Sequence, residues 1–140
     1  MSKIVLLKNM FTLWCVKLLN TTIPIVKDSR FKAHLITDWD NKVVKYNPYY
    51  VRHWGEAEIM AGIFHEIRHI IQGEIPYDTK ESMILCERDA EEYCIKMIKR
   101  YYPLHLKELI SYSKKQLKNR IWRKNFPIHY KAFKDIKEYQ

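Results

Sequence analysis

Three long segments of the chain place hydrophobic residues at helical spacing. In 56–72, Ile59, Met60, Ile63, Phe64, Ile67, Ile70 and Ile71 cover most of the circumference when the segment is wound as a helix. The remaining stripe holds Glu58, Ala61, Gly62, His65, His69 and Gln72. A helix apolar on most sides is buried, so its polar stripe must face a cleft or a satisfied polar cluster. The small Ala61 and Gly62 beside the histidines are expected to leave room for a ligand. In 80–101 the apolar stripe is Met83, Ile84, Ala90, Cys94, Ile98 and Tyr101, with Glu87 at its centre and Glu91 on its shoulder. In 3–19, Ile4, Leu7, Phe11, Trp14 or Cys15, and Leu18 predict an amphipathic helix ended by Asn20-Thr21-Thr22-Ile23-Pro24.

Shorter runs between the first two helices read as strands. Residues 31–37 and 42–46 predict a pair joined by a turn at Asp38-Trp39-Asp40-Asn41, and 23–26 offers a third strand. Asn47-Pro48 stops the second strand, and Gly73 stands where a helix-closing glycine is usual. A loop over 74–80 leads to the second helix, and a further helix is expected over 104–118. The predicted class is α+β: one domain over 1–140, with an N-terminal helix at 3–19, a core at about 23–101, and a basic helical extension at 103–140.

Composition fits that picture. With 140 residues, 47% apolar and 14% aromatic, the chain can bury one core and is not wholly disordered. Cys15, Cys86 and Cys94 are odd in number and lack a C-x-x-C pair, which argues against a disulfide framework or zinc ribbon and for a reducing, cytoplasmic setting. The N-terminal run is broken by Lys8, Asn9 and Lys17, so no transmembrane segment or signal peptide is expected, and a membrane-surface role for it ranks below packing on the domain.

The chemistry lies in His65-Glu66-Ile67-Arg68-His69, an H-E-x-x-H pattern. Residues four apart stack on one helix face, so both imidazoles can hold one metal ion while Glu66 reaches a water beside it. Zinc in such a site acidifies water and polarises a carbonyl. The bland alternative is a pair of core histidines bonded to backbone, but a buried His-Glu-His stripe without a metal is costly to satisfy. A catalytic zinc needs a third protein ligand. The metzincin pattern is excluded, because it requires Gly and His where the chain has Gln72 and Ile75. Glu87 is the candidate, since a carboxylate centred on an apolar stripe must be paired or metal-bound. Glu91 is the competing choice, or a partner to a liganding histidine.

Together these residues resemble the small gluzincin metallopeptidases of the ImmA/IrrE type. The resemblance covers about residues 33–101. It rests on His65-Glu66-x-x-His69, on Glu87-Arg88-Asp89-Ala90-Glu91-Glu92-Tyr93 in the next helix, and on Val43-Val44-Lys45-Tyr46-Asn47-Pro48, which is similar to an edge strand before the active helix. Arg68 stands where that family often has Gly, and the gap from His69 to Glu87 is short. The resemblance implies a minimal zincin-like domain: a short sheet packed on the H-E-x-x-H helix, then a glutamate-bearing helix. It also implies one zinc ion per chain on His65, His69 and Glu87, with Glu66 as general base in hydrolysing peptide bonds of a protein substrate. Arg68 and Gln72 are candidates to orient ligands or touch substrate. Tyr77, Tyr93 and His105 are candidate donors to the reacting oxygen. The strand before the active helix is expected to accept an extended substrate by strand addition.

Charge is uneven. Residues 1–102 carry a net +2 and residues 103–140 a net +7, within a total of +9. Trp122, Phe126, Tyr130 and Phe133 alternate with Arg120, Arg123, Lys124, Lys131 and Lys134, which suits a nucleic acid or an acidic partner, or simply a solvated lysine-rich surface. The competing functional class is therefore a DNA-associated or regulatory interaction module whose zinc site is structural or inactive. His105 and His129 read as surface or cleft residues rather than ligands.

Overall fold

Glu56–Gln72, the H-E-x-x-H segment, forms one unbroken helix, and its neighbours are arranged around it. The computed structural model describes residues 2–73 and 79–140, so the expected loop at 74–78, with Pro76 and Tyr77, lies outside the described residues. The chain divides into two compact units, Met1–Glu74 and Ile75–Gln140.

In the first unit, α1 spans Lys3–Leu19. Ser2 caps it by accepting from the Val5 N–H at 3.1 Å, and Asn20 closes it in a left-handed conformation. Three strands follow: β1 (Ile25–Lys27), β2 (Leu35–Asp38) and β3 (Val43–Tyr46). They form a mixed sheet in the order β1-β3-β2, parallel between β1 and β3 and antiparallel between β2 and β3. The strand expected at an edge, Val43–Tyr46, is instead the central strand, because the 23–27 segment pairs along its second side. The edges are β1 and β2. The strand expected from residue 31 begins only at Leu35, since Asn47 pulls 31–34 into a bend: its Nδ2 donates to the Phe31 carbonyl at 2.7 Å and its backbone N–H to His34 at 3.0 Å.

Asn47 also caps a short helix missed in the sequence, α2 (Pro48–Val51), by accepting from the Tyr49 N–H at 3.0 Å. Pro48 occupies the first turn, where a missing N–H costs nothing. The long helix Glu56–Gln72 is α3. Glu56 and Glu58 complement the positive end of its dipole, and Gly73 ends it at φ +80°, a conformation other residues adopt only with strain. α3 packs against α1 and β2, and Trp14 meets Phe64 edge-on at 4.9 Å. Ile59, Ile63, Phe64 and Ile67 are fully buried. Each such side chain contributes roughly 1.5–3 kcal/mol.

The second unit is helical: α4 (Lys80–Tyr101), a 3-10 turn (Pro103–His105), α5 (Leu106–Lys118), α6 (Arg120–Asn125), α7 (Pro127–Phe133) and a closing 3-10 turn (Lys137–Tyr139). α4 packs on α7 and α5 on α6. Arg88 of α4 donates to the Ala132 and Lys131 carbonyls at 3.1 and 3.4 Å, satisfying the C-terminal end of α7. The buried side of α4 carries Cys86, Ala90, Glu91, Cys94, Ile95, Met97 and Ile98. It is rotated from the expected stripe: Met83 and Ile84 are half-buried and Tyr101 is exposed. The α+β class holds, with His65 and His69 on α3 and Glu87 on α4. Among the described residues no helix is long and apolar enough to cross a membrane.

Candidate metal centre

His65 and His69 are one helical turn apart on α3, and their Nε2 atoms lie 3.1 Å from each other. Gln72, on the next step of the same face, places its Oε1 2.8 Å from His69 Nδ1. A carboxamide oxygen accepts, so in this arrangement Nδ1 of His69 is the donor and its Nε2 is the nitrogen turned toward His65. Two nitrogens bonded to one tetrahedral zinc at about 2.0–2.1 Å sit roughly 3.3 Å apart, so this pair needs to open only slightly to share an ion. His69 is buried and His65 half-buried.

Glu66 turns to the sheet side of α3. It is 7% exposed, and its Oε2 accepts a 2.6 Å hydrogen bond from Thr37 Oγ1 on β2. A charge-assisted bond of this length fixes the carboxylate's orientation in a site that offers it little water. Sequence reasoning missed Thr37; only the period of β2, which turns Leu35 and Thr37 to one face, could have suggested it.

Glu87 is half-buried on α4. Its Oε2 lies 3.2 Å from Nε2 of His129 on α7. His65, His69 and Glu87 make a possible metal site: one ligand atom from each falls within 4.8 Å of the others. Two neutral imidazoles and a carboxylate are a donor set that suits zinc. Glu91 does not belong to that group. It is buried, and Tyr139 Oη donates to its Oε1 at 2.9 Å.

The other candidates are spread along the same helices. Arg68 and Gln72 are half-buried on α3 and Tyr93 is half-buried on α4, whereas His105 stacks on Tyr102 at 6.1 Å. The space expected beside Gly62 is filled by protein: a Cβ there would stand 2.7 Å from Trp54 Cη2 and 3.0 Å from Leu35 Cδ1. The glycine admits an indole, which stacks on His34 at 4.0 Å, rather than a ligand. The three cysteines are buried thiols. Burial, and then the Glu91 carboxylate, raise Cys94, while burial followed by Glu87 and Asp89 raises Cys86. Both therefore stay protonated and poor as nucleophiles or metal ligands.

No protein-family model, curated protein or solved structure matches this chain. The candidate site rests on its own geometry.

Proposed function

We propose that the protein is a small zincin-like metallopeptidase, similar to the ImmA/IrrE type, that hydrolyses peptide bonds of a protein substrate. The observation that carries this reading is the pairing on α3 of two converging imidazoles with a buried carboxylate, Glu66, that faces the sheet. A purely structural metal site has no need of such a base. In this reading His65, His69 and Glu87 hold one zinc ion, which when bound polarises the scissile carbonyl and acidifies water.

Glu66 is the general base. It takes the proton of the attacking water and returns it to the leaving amine. Thr37 holds Glu66 in the orientation that transfer needs, and Gln72 keeps His69 in the tautomer that presents Nε2. The edge β2 supports a substrate-binding role. His34 and Asn47 form a hydrogen-bonded pair, so by alternation Ile36 and Asp38 face β3, and the N–H and C=O groups of Leu35 and Thr37 point outward. An extended peptide pairing there would add a strand beside Thr37 and hence beside Glu66. This role passes to β2 from β3, whose two sides are already occupied.

The test is metal analysis of the purified chain, followed by degradation of candidate proteins by wild type beside Glu66→Gln. One zinc per wild-type chain, with cleavage lost in the variant, supports the reading. A wild-type chain that binds no zinc at micromolar concentration overturns it.

A further inference from the structure

We propose that His129 is a positioning residue for the metal site: its ring N–H holds the Glu87 carboxylate in the orientation in which that carboxylate serves as a ligand. The inference rests on the assignment of Glu87 as third ligand and adds a residue 42 positions further along the chain. That residue lies in the basic extension expected to be separate from the site.

His129 Nε2 and Glu87 Oε2 are 3.2 Å apart, within hydrogen-bonding distance, with side chains 38% and 16% exposed. A neutral imidazole carries one ring N–H, and with that proton on Nε2 it can donate to the carboxylate. A glutamate ligand on a three-torsion side chain has many rotamers, and only a few direct an oxygen at a metal. Fixing one oxygen by a donor from the neighbouring helix removes that freedom before the ion arrives, and a monodentate metal bond needs only the other oxygen.

His129 is itself held in place. Phe126 and Phe133 stand edge-on to its ring at 5.8 and 5.7 Å, with interplanar angles of 86° and 89°. Two adjacent residues of α4 reach α7: Glu87 sets its Oε2 3.2 Å from Nε2 of His129, while Arg88 donates to the Ala132 and Lys131 carbonyls. Arg88 fixes the end of α7, the seven-residue helix that carries His129. The positioning device is thus built on packed helices, as a precise site requires.

Zinc affinity, measured by competition with a chromophoric chelator on the full chain, tests this, with urea unfolding of the zinc-stripped proteins alongside. His129→Ala should weaken zinc binding about 10–100-fold, the range for losing a group that orients a ligand. His129→Gln, whose amide can still donate to the carboxylate, should recover most of it. In the Glu87→Ala background, His129→Ala should have no further effect on zinc.

Three results would overturn the proposal: wild-type affinity in His129→Ala, a His129→Gln variant as weak as His129→Ala while folded, or additive effects in the double variant. The second would make the imidazole itself a ligand. Should His129→Ala unfold, His129→Phe, which keeps a ring against Phe126 and Phe133 and cannot donate, takes its place in both backgrounds. Failure of wild type to bind zinc would instead strike the assignment of the metal site.

Discussion

Thr37 and Glu66, 29 residues apart in the chain, meet in a 2.6 Å hydrogen bond that joins the sheet edge to the H-E-x-x-H helix. The bond gives the carboxylate a single orientation, and its two ends can be tested separately. Glu66→Gln keeps shape and hydrogen-bonding capacity, so zinc content and unfolding midpoint should stay near wild type. Turnover should fall by about 10²–10⁴, the usual contribution of a general base. Undiminished cleavage by this variant removes Glu66 from the chemistry.

Thr37→Val keeps the β-branched shape and removes only the hydroxyl. It leaves a buried carboxylate without a short donor, which costs about 1–3 kcal/mol. Urea unfolding should show that loss. A variant as stable as wild type would mean that water or another donor replaces the hydroxyl at no cost.

Zinc stoichiometry should separate the two candidate glutamates. His65→Ala, His69→Ala and Glu87→Ala should each bind zinc far more weakly than wild type. Glu91→Ala should keep its zinc but lose stability, because Tyr139 Oη would then lack its buried acceptor. The reverse pattern, with zinc lost on Glu91→Ala alone, would transfer the third-ligand role.

Much of this arrangement is legible in the sequence because its signals are periodic. The run of Ile59, Ile63, Phe64 and Ile67 marks α3 as a buried helix, and the four-residue spacing makes His65 and His69 neighbours. Glu87 is preferred to Glu91 in the sequence for a central place on the α4 stripe, yet the stripe is rotated: Glu91 is the buried carboxylate and Glu87 is half-buried. What escapes is pairing between distant segments. Nothing in Val43–Tyr46 says that 25–27 will join its far side, and so a central strand reads as an edge. Gly62 reads as empty space until Trp54, eight positions earlier, is seen lying across it. α6 and α7 escape because they are short and rich in charged and aromatic residues, with too few turns to establish a period.

Gly62→Ala tests the close packing on the sheet side of α3. The added methyl would overlap the Trp54 ring at 2.7–2.8 Å and touch Leu35 at 3.0 Å. Overpacking of this kind costs about 1–3 kcal/mol, and the better helix propensity of alanine returns no more than ~1. A lowered unfolding midpoint is expected. A raised one would show that the indole has room to move.

His34 gives the first unit a pH dependence. Burial, and secondarily the charge of His53, lower its pKa to about 4. Against an unfolded value of about 6.5, the unfolded chain binds the extra proton between those limits. Stability should therefore be complete above about pH 6.5 and decline as pH falls toward 4. His34→Phe keeps a ring against Trp54 and cannot titrate, so its unfolding free energy should vary less over that window. An equal slope in both proteins would assign the effect to other groups.

The basic segment makes two demands that differ in what they disturb. Arg120, Arg123, Lys124, Lys131 and Lys134 are exposed, whereas Trp122 is half-buried with its ring 5.9 Å from Phe126 and 6.3 Å from Phe133. The aromatic side chains thus face one another rather than standing ready for bases, and Phe133 in turn braces His129. Trp122→Ala should lower stability by roughly 1–3 kcal/mol through poorer packing. Replacing Arg120, Arg123 and Lys124 with Gln should leave the fold and zinc affinity unchanged, because Phe126, His129 and Phe133 keep their places. If these cations bind duplex or single-stranded DNA, the triple variant should weaken filter binding and flatten its dependence on salt, the slope falling by about one for each phosphate no longer neutralised. Retention of neither nucleic acid at low salt would leave the cations as a solvated surface, and the segment's role would then be the support of Glu87 through His129.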